Sequence, residues 1–263
     1  MLKKLLKYDL SSIFKFIIIF YSLSVIFALS ARLALRFDNS LALEIIGEIF
    51  RGASISMMFS ILINNLMRLW VRFRANFYGD ESYLTHTLPI TRRTQYLSKF
   101  ITAVITMFVS VCVIALTLFI AYYSKENFEF IKAFLLPISD TVNIPFGVLV
   151  AVFIILIFLE FLCILQCGFT GIIFGHKMLS GKIGLSVVFG FITSTIVQMI
   201  ILLTVFFSGI FNKDILNIFV TDGPVNFTVL KTVIIICIVM YTVMCTAVCV
   251  FNIKILSKGV DVE

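Results

Sequence analysis

The sequence predicts an all-α, polytopic membrane protein with six transmembrane helices and a short cytoplasmic helix between the second and third. Composition is the first reason: 61% of residues are hydrophobic and 29 are Phe, against roughly 45–50% apolar residues in soluble domains. The second is arrangement, because six long apolar stretches are separated by short polar connections. The third is charge, since Lys and Arg gather in every other connection. A water-soluble fold of 263 residues could not cover six such stretches, whereas a lipid bilayer can.

The spans are expected at roughly Ile13–Leu35, Phe50–Val71, Phe100–Tyr123, Pro145–Phe169, Ile183–Phe207 and Thr232–Phe251. Each supplies about 20 or more mostly apolar residues, enough to cross a hydrocarbon core about 30 Å thick at 1.5 Å per residue. Backbone polar groups must be satisfied internally in lipid, so the spans are helices. A β-barrel is excluded by the continuous, non-alternating apolar runs. The first span follows a basic segment, Met1–Lys15, that could serve a signal peptide. Its apolar stretch is too long for one and has no persuasive small-residue cleavage site, so the helix is expected to be retained. In the second, Asn64, Asn65 and Arg68 interrupt the apolar run near one end. A buried core helix is the alternative there, and the two asparagines are candidates to hydrogen-bond a neighbouring helix. The fourth holds Glu160, the only carboxylate near the middle of a span. An ionised carboxylate at that depth costs several kcal/mol unless it faces protein, water or a cation. Cys163, Ile164, Cys167 and Gly171 follow it at helical spacing, on a small face that allows close helix approach. Glu160 is therefore a candidate for the substrate path or a helix interface, or for a structural hydrogen bond from the protonated acid. Gln198, with Thr195, forms a milder polar patch in the fifth span, and Asn64 belongs to the same group of path or interface candidates.

Orientation follows from charge. The first end, the connection from Arg68 to Lys99, the connection with Lys177 and Lys182, and the tail with Lys254 and Lys258 hold 14 of the 21 basic residues. The opposite connections carry Arg32, Arg36, Arg51, Lys125, Lys132, Lys213 and Lys231 among more acids than bases. Basic loops stay in the cytoplasm, so both termini are expected there, in a multi-pass protein of a bacterial-type cytoplasmic membrane. The net charge of +7 then borders anionic membrane lipids of the inner leaflet and needs no nucleic acid. No polar segment reaches 35 residues, so one transmembrane domain, 1–263, is expected. All six cysteines, Cys112, Cys163, Cys167, Cys237, Cys245 and Cys249, lie in apolar helices, where Cys packs as a small hydrophobe. The Cys163–Cys167 pair has no further metal ligand obviously beside it, and no metal is expected.

The most informative local sequence runs from Arg72 to Lys99. Gly79 can terminate one helix and Asp80 can cap the next. Glu81–Leu88 is a short helix with acid at its start, where it favours the helix dipole. Pro89 breaks it. Thr91 is a cap for a second helix, Arg92–Lys99, which runs into the third span. The expected shape is a short surface helix, a sharp turn and a return into the bilayer, with Tyr83, Leu84 and Leu88 forming an apolar patch suited to docking. An amphipathic linker held on lipid headgroups by Arg92 and Arg93 is the plainer alternative.

This run resembles the cytoplasmic coupling region of integral permeases from the type-2 class of ABC exporters. The resemblance rests on Asp80 and Glu81, Ser82, Tyr83–Thr85, Thr87–Pro89, Thr91 and Arg92, then Ser98 and Lys99. His86 departs from it, standing where an aromatic such as Phe is common. The resemblance implies a half-transporter: two permease subunits, identical or related, form the path, and each couples to a nucleotide-binding ATPase. The implied coupling residues are Asp80, Glu81, Tyr83, Leu84, Leu88, Pro89 and Arg92. ATP and Mg would be bound by the partner ATPase, not by this chain. In agreement, no Gly-rich run ends in Gly-Lys-Ser or Gly-Lys-Thr to cradle phosphates, and Gly181-Lys182 lacks the flanking pattern.

Enzyme readings find little support. The two histidines, His86 and His176, lie near the basic connections, with no His-Glu-x-x-His arrangement. Ion coupling through Glu160 would rest on one acid with no evident coordination set. The short outer connections argue for export over capture of scarce solute, and the aromatic content suits amphipathic or hydrophobic peptide cargo, with drugs, lipids and polysaccharide precursors open. The main alternative is a membrane immunity or sensing subunit that binds peptide or controls a complex without vectorial transport.

Overall fold

A computed structural model describes residues 2–36, 41–79, 81–87, 89–178, 180–212, 215–216 and 227–258, the side chains of 84–86, 125–126, 134, 141–142 and 227–228 lying outside that description. The described residues are helical with no strand: α1 (Leu2–Ala34), α2 (Leu41–Tyr78), α3 (Ser82–Thr87), α4 (Arg92–Tyr122), α5 (Lys125–Val142), α6 (Phe146–Gly175), α7 (Lys182–Phe211) and α8 (Phe227–Ser257). Six are long and apolar enough to cross a membrane, namely α1, α2, α4, α6, α7 and α8. The all-α, six-span expectation holds.

Most of the helices outrun the predicted apolar windows. Hydropathy marks where hydrocarbon begins, but a helix continues until a residue stops it. The Lys- and Leu-rich start of α1 propagates helix back to Leu2. The 38 residues of α2 make it ~57 Å long at 1.5 Å per residue, well beyond one bilayer core. It ends at Tyr78, where Gly79 donates its N–H to the Arg74 carbonyl at 3.1 Å. A Cβ at Gly79 would lie 3.1 Å from Ala75 backbone, so the tight exit favours glycine. Thr91 caps α4 as expected, its hydroxyl accepting from the Thr94 N–H at 3.4 Å. Gly181, at φ 68°, supplies the left-handed turn that starts α7.

One connection was expected to be loop and is helix. In α5, Phe128, Ile131 and Leu135 repeat at helical spacing between charged residues, an amphipathic pattern that a search for long apolar runs passes over. The helix accommodates Pro137 and closes at Asn143, whose φ of 53° is left-handed.

The contacts divide the chain into two compact units, Met1–Phe128 and Glu129–Glu263, with three spans each. In the first, α1 packs on both α2 and α4, and α2 also meets α3. The buried face of α1 reads Asp9, Ile13, Ile17, Tyr21, Ser24, Ala28 and Ala31, a stripe every three or four residues. In the second, α6 packs on α7 and α8. The approach to α7 is close: a Cβ on Gly171 would fall 2.3 Å from the Ser186 carbonyl oxygen and 2.5 Å from the Gly190 nitrogen. Gly171 and Gly175 thus meet Ser186 and Gly190, small residues one turn apart on each helix. Large apolar side chains such as Val187, Phe191 and Phe211 point outward, the arrangement of a surface covered by lipid.

Candidate functional site

The first unit gathers charge where α1, α2, α3 and α4 meet. Asp9 is buried on α1, with a side chain only 2% exposed. Its Oδ1 accepts from Lys99 Nζ of α4 at 2.6 Å and lies 3.7 Å from Arg72 Nε of α2. Ser98 donates to its other oxygen at 3.4 Å. Arg72 reaches the opposite way with Nη1, which donates to Glu81 at 3.2 Å just before α3. Asn76, one turn beyond Arg72, joins the two halves: its amide nitrogen donates to Glu81 while its carbonyl oxygen accepts from Lys99. Two acids and two bases therefore meet with balanced charge, as burial requires.

Aromatic groups frame the cluster. Phe73, Phe77 and Tyr96 are fully buried between α2 and α4. Their rings pack at 4.7 Å between the two Phe centroids and 6.1 Å, edge to face, between Phe73 and Tyr96. Arg72 also stacks its guanidinium 5.0 Å over Tyr8, and Arg68 lies 5.2 Å over Phe16, so both arginines rest on α1 rings.

The expected docking residues divide around this frame. Tyr83 is 64% exposed on α3 and Pro89 is exposed in the following turn. Arg92 is half-buried at the first position of α4. Glu81 turns its carboxylate back onto α2, which gives it an anchoring role within the chain. Asp80, Leu88 and the side chain of Leu84 lie outside the described residues.

The expected path or interface residues are distributed over both units. Asn64 donates only to the Ser60 carbonyl of its own helix, at 2.8 Å, among its described bonds. Its neighbour Asn65 makes the interhelical bond, donating to Ser110 of α4 at 2.8 Å. Ser110 also lies 2.8 Å from the Tyr21 hydroxyl of α1, so one small network joins all three spans. In the second unit, Glu160 is half-buried on α6 and Gln198 accepts from Tyr241 at 3.2 Å. A separate network of Gln166, Thr170 and Asn252 binds α6 to α8, with the Thr170 hydroxyl 2.8 Å from Asn252. Cys163 and Cys167 pack against Val197, Ile201 and Val248.

Sequence reasoning missed Asp9 and Asn76, took Arg72 only as a basic residue of the connection, and took Lys99 as a basic residue and part of the resembling run, without its partners. A signal for Asp9 was present. It is the lone acid in a Lys-rich start, and it begins the four-residue stripe that continues through Ile13, Ile17 and Tyr21. Asn76 had none, because its role depends on the fold of the turn beyond it.

Compared with protein families, curated proteins and solved structures, the chain matches none.

Proposed function

We propose that the chain is the membrane half of an ATP-driven exporter, coupled to a separate nucleotide-binding ATPase through the short helix α3. The observation that carries this reading is a seated knob. Glu81 is tied to Arg72 and Asn76 at the base of α3, while Tyr83 on α3 is 64% exposed. A large amphipathic side chain held out on a rigid base suits docking into a partner's pocket. The long α2 and the continuous α4 lead from that base into the span region, a direct mechanical route for a push on α3. In this reading both termini and α3 face the cytoplasm, two such chains complete the path, and the cargo is an amphipathic or hydrophobic peptide. Glu160, Gln198 and Tyr241 are the polar groups available along that path.

The test is Tyr83→Ala combined with Leu84→Ala. Removing apolar area costs about 25 cal/mol per Å² before reorganisation, so docking of the ATPase should weaken measurably. ATP hydrolysis by the isolated partner should persist, while its stimulation by this chain and cargo export should fall together. A correctly folded double variant with normal docking, stimulation and export would remove α3 as the coupling surface.

A further inference from the structure

We propose that Arg72 is a shared cation for which Asp9 and Glu81 compete, so that the seating of α3 and the packing of α1 are reciprocally linked. The geometry is that of an arginine held between two acids. Arg72 is about nine-tenths buried; Nη1 bonds Glu81, whereas Nε stands 3.7 Å from Asp9, inside ion-pair range but beyond a hydrogen bond. Nε and Nη2 are buried and without hydrogen-bond partners among the described residues. A guanidinium prefers to use adjacent nitrogens as a fork on one carboxylate, and here the fork is split. A small movement of α3 away from α2 would free Nη1 and let the guanidinium close on Asp9.

Lys99 follows the same logic. It bonds Asp9 directly and reaches Glu81 through the Asn76 amide, whose two ends are both engaged. Both cations are thus divided between one acid on α1 and one at the start of α3. Weakening either acid directs both cations to the other. Linkage then requires that whatever moves α3 also changes how firmly α1 is held, and the reverse. Arg72 and Lys99 are positioning residues in this scheme. The scheme rests on the coupling reading only for its use by a partner; the competition is a property of this chain alone.

Hydrogen exchange on the full chain in lipid nanodiscs, with no ATPase present, separates the two. Asp9→Asn keeps the shape of the side chain and its neutral hydrogen bonds. It should slow exchange at the amides of Ser82–Thr87 at least about fivefold, because both cations turn to Glu81. Glu81→Gln should speed exchange there and slow it at the Tyr8–Ile13 amides of α1. In an Arg72→Gln background, Asp9→Asn should have a much smaller effect on α3. A purely structural cluster gives the opposite sign for Asp9→Asn, loosening α3 along with α1, and that result or an unchanged α3 overturns the proposal. If Asp9→Asn does not fold, Glu81→Gln decides alone, at a half-exposed carboxylate, and an α1 unchanged or loosened rejects the competition. Normal reciprocity together with undiminished docking, stimulation and export in the Tyr83 and Leu84 double variant would instead leave the competition standing and remove its proposed use.

Discussion

At the scale of single residues, Asn64 and Asn65 show how one position along a helix divides chemistry. The side chains differ by about 100° around α2. Asn64 returns its amide to Ser60, satisfying itself locally, whereas Asn65 crosses to Ser110 and, through that hydroxyl, to Tyr21. Asn65→Leu should therefore destabilise the first unit by about 1 kcal/mol, the scale of interhelical hydrogen bonds in membranes. Asn64→Leu should be close to neutral. Unfolding of the purified variants by added denaturing detergent measures the difference, and equal effects would contradict the assigned geometry. The sequence marked both asparagines as polar intrusions in a span, but which of them faced a neighbour depended on the rotation of α2, set by packing against α1 and α4. Asp9 was hidden for a related reason. Among Lys3, Lys4 and Lys7 it looked like a surface charge, and only the stripe beginning with it aimed it inward.

At the scale of elements, local chemistry was the most legible. Gly79, Pro89 and Thr91 each act on the backbone within a residue or two, so the end of α2, the turn after α3 and the start of α4 followed from sequence. Helix α5 was illegible to the same reading, because its apolar residues are interleaved with charge and form no long run. The small face predicted around Gly171 is real, and it serves the α6–α7 contact. Gly171→Leu would force a side chain where even a Cβ meets backbone at 2.3 Å. No rotamer relieves a clash at Cβ, so the helices must separate, at a cost of at least about 1–3 kcal/mol. Cross-linking between cysteines introduced at Lys177 and Leu185, near the turn joining the helices, should persist, whereas a pair placed nearer Gly171 and Gly190 should lose efficiency. Unchanged cross-linking at the second pair would mean that the two helices do not approach there.

At the scale of the molecule, the six spans divide equally between two compact units, and the direction proposed for them rests on the expected retention of basic connections. The cluster of Asp9, Arg72, Lys99 and Glu81 lies at the end of the first unit that carries Lys3, Lys4, Lys7, Arg92 and Arg93. That end is the one basic-residue retention assigns to the cytoplasm. The orientation is testable with a membrane-impermeant maleimide on intact cells. A cysteine replacing exposed Arg93 should be protected until the membrane is opened, and one replacing Asn127 should label at once. The six native cysteines are first replaced by alanine, so that only the introduced thiol reports. External labelling at position 93 with protection at 127 would invert the chain. It would also place α3 outside the cell, beyond the reach of any ATP-driven partner, and the coupling reading would fall with the orientation.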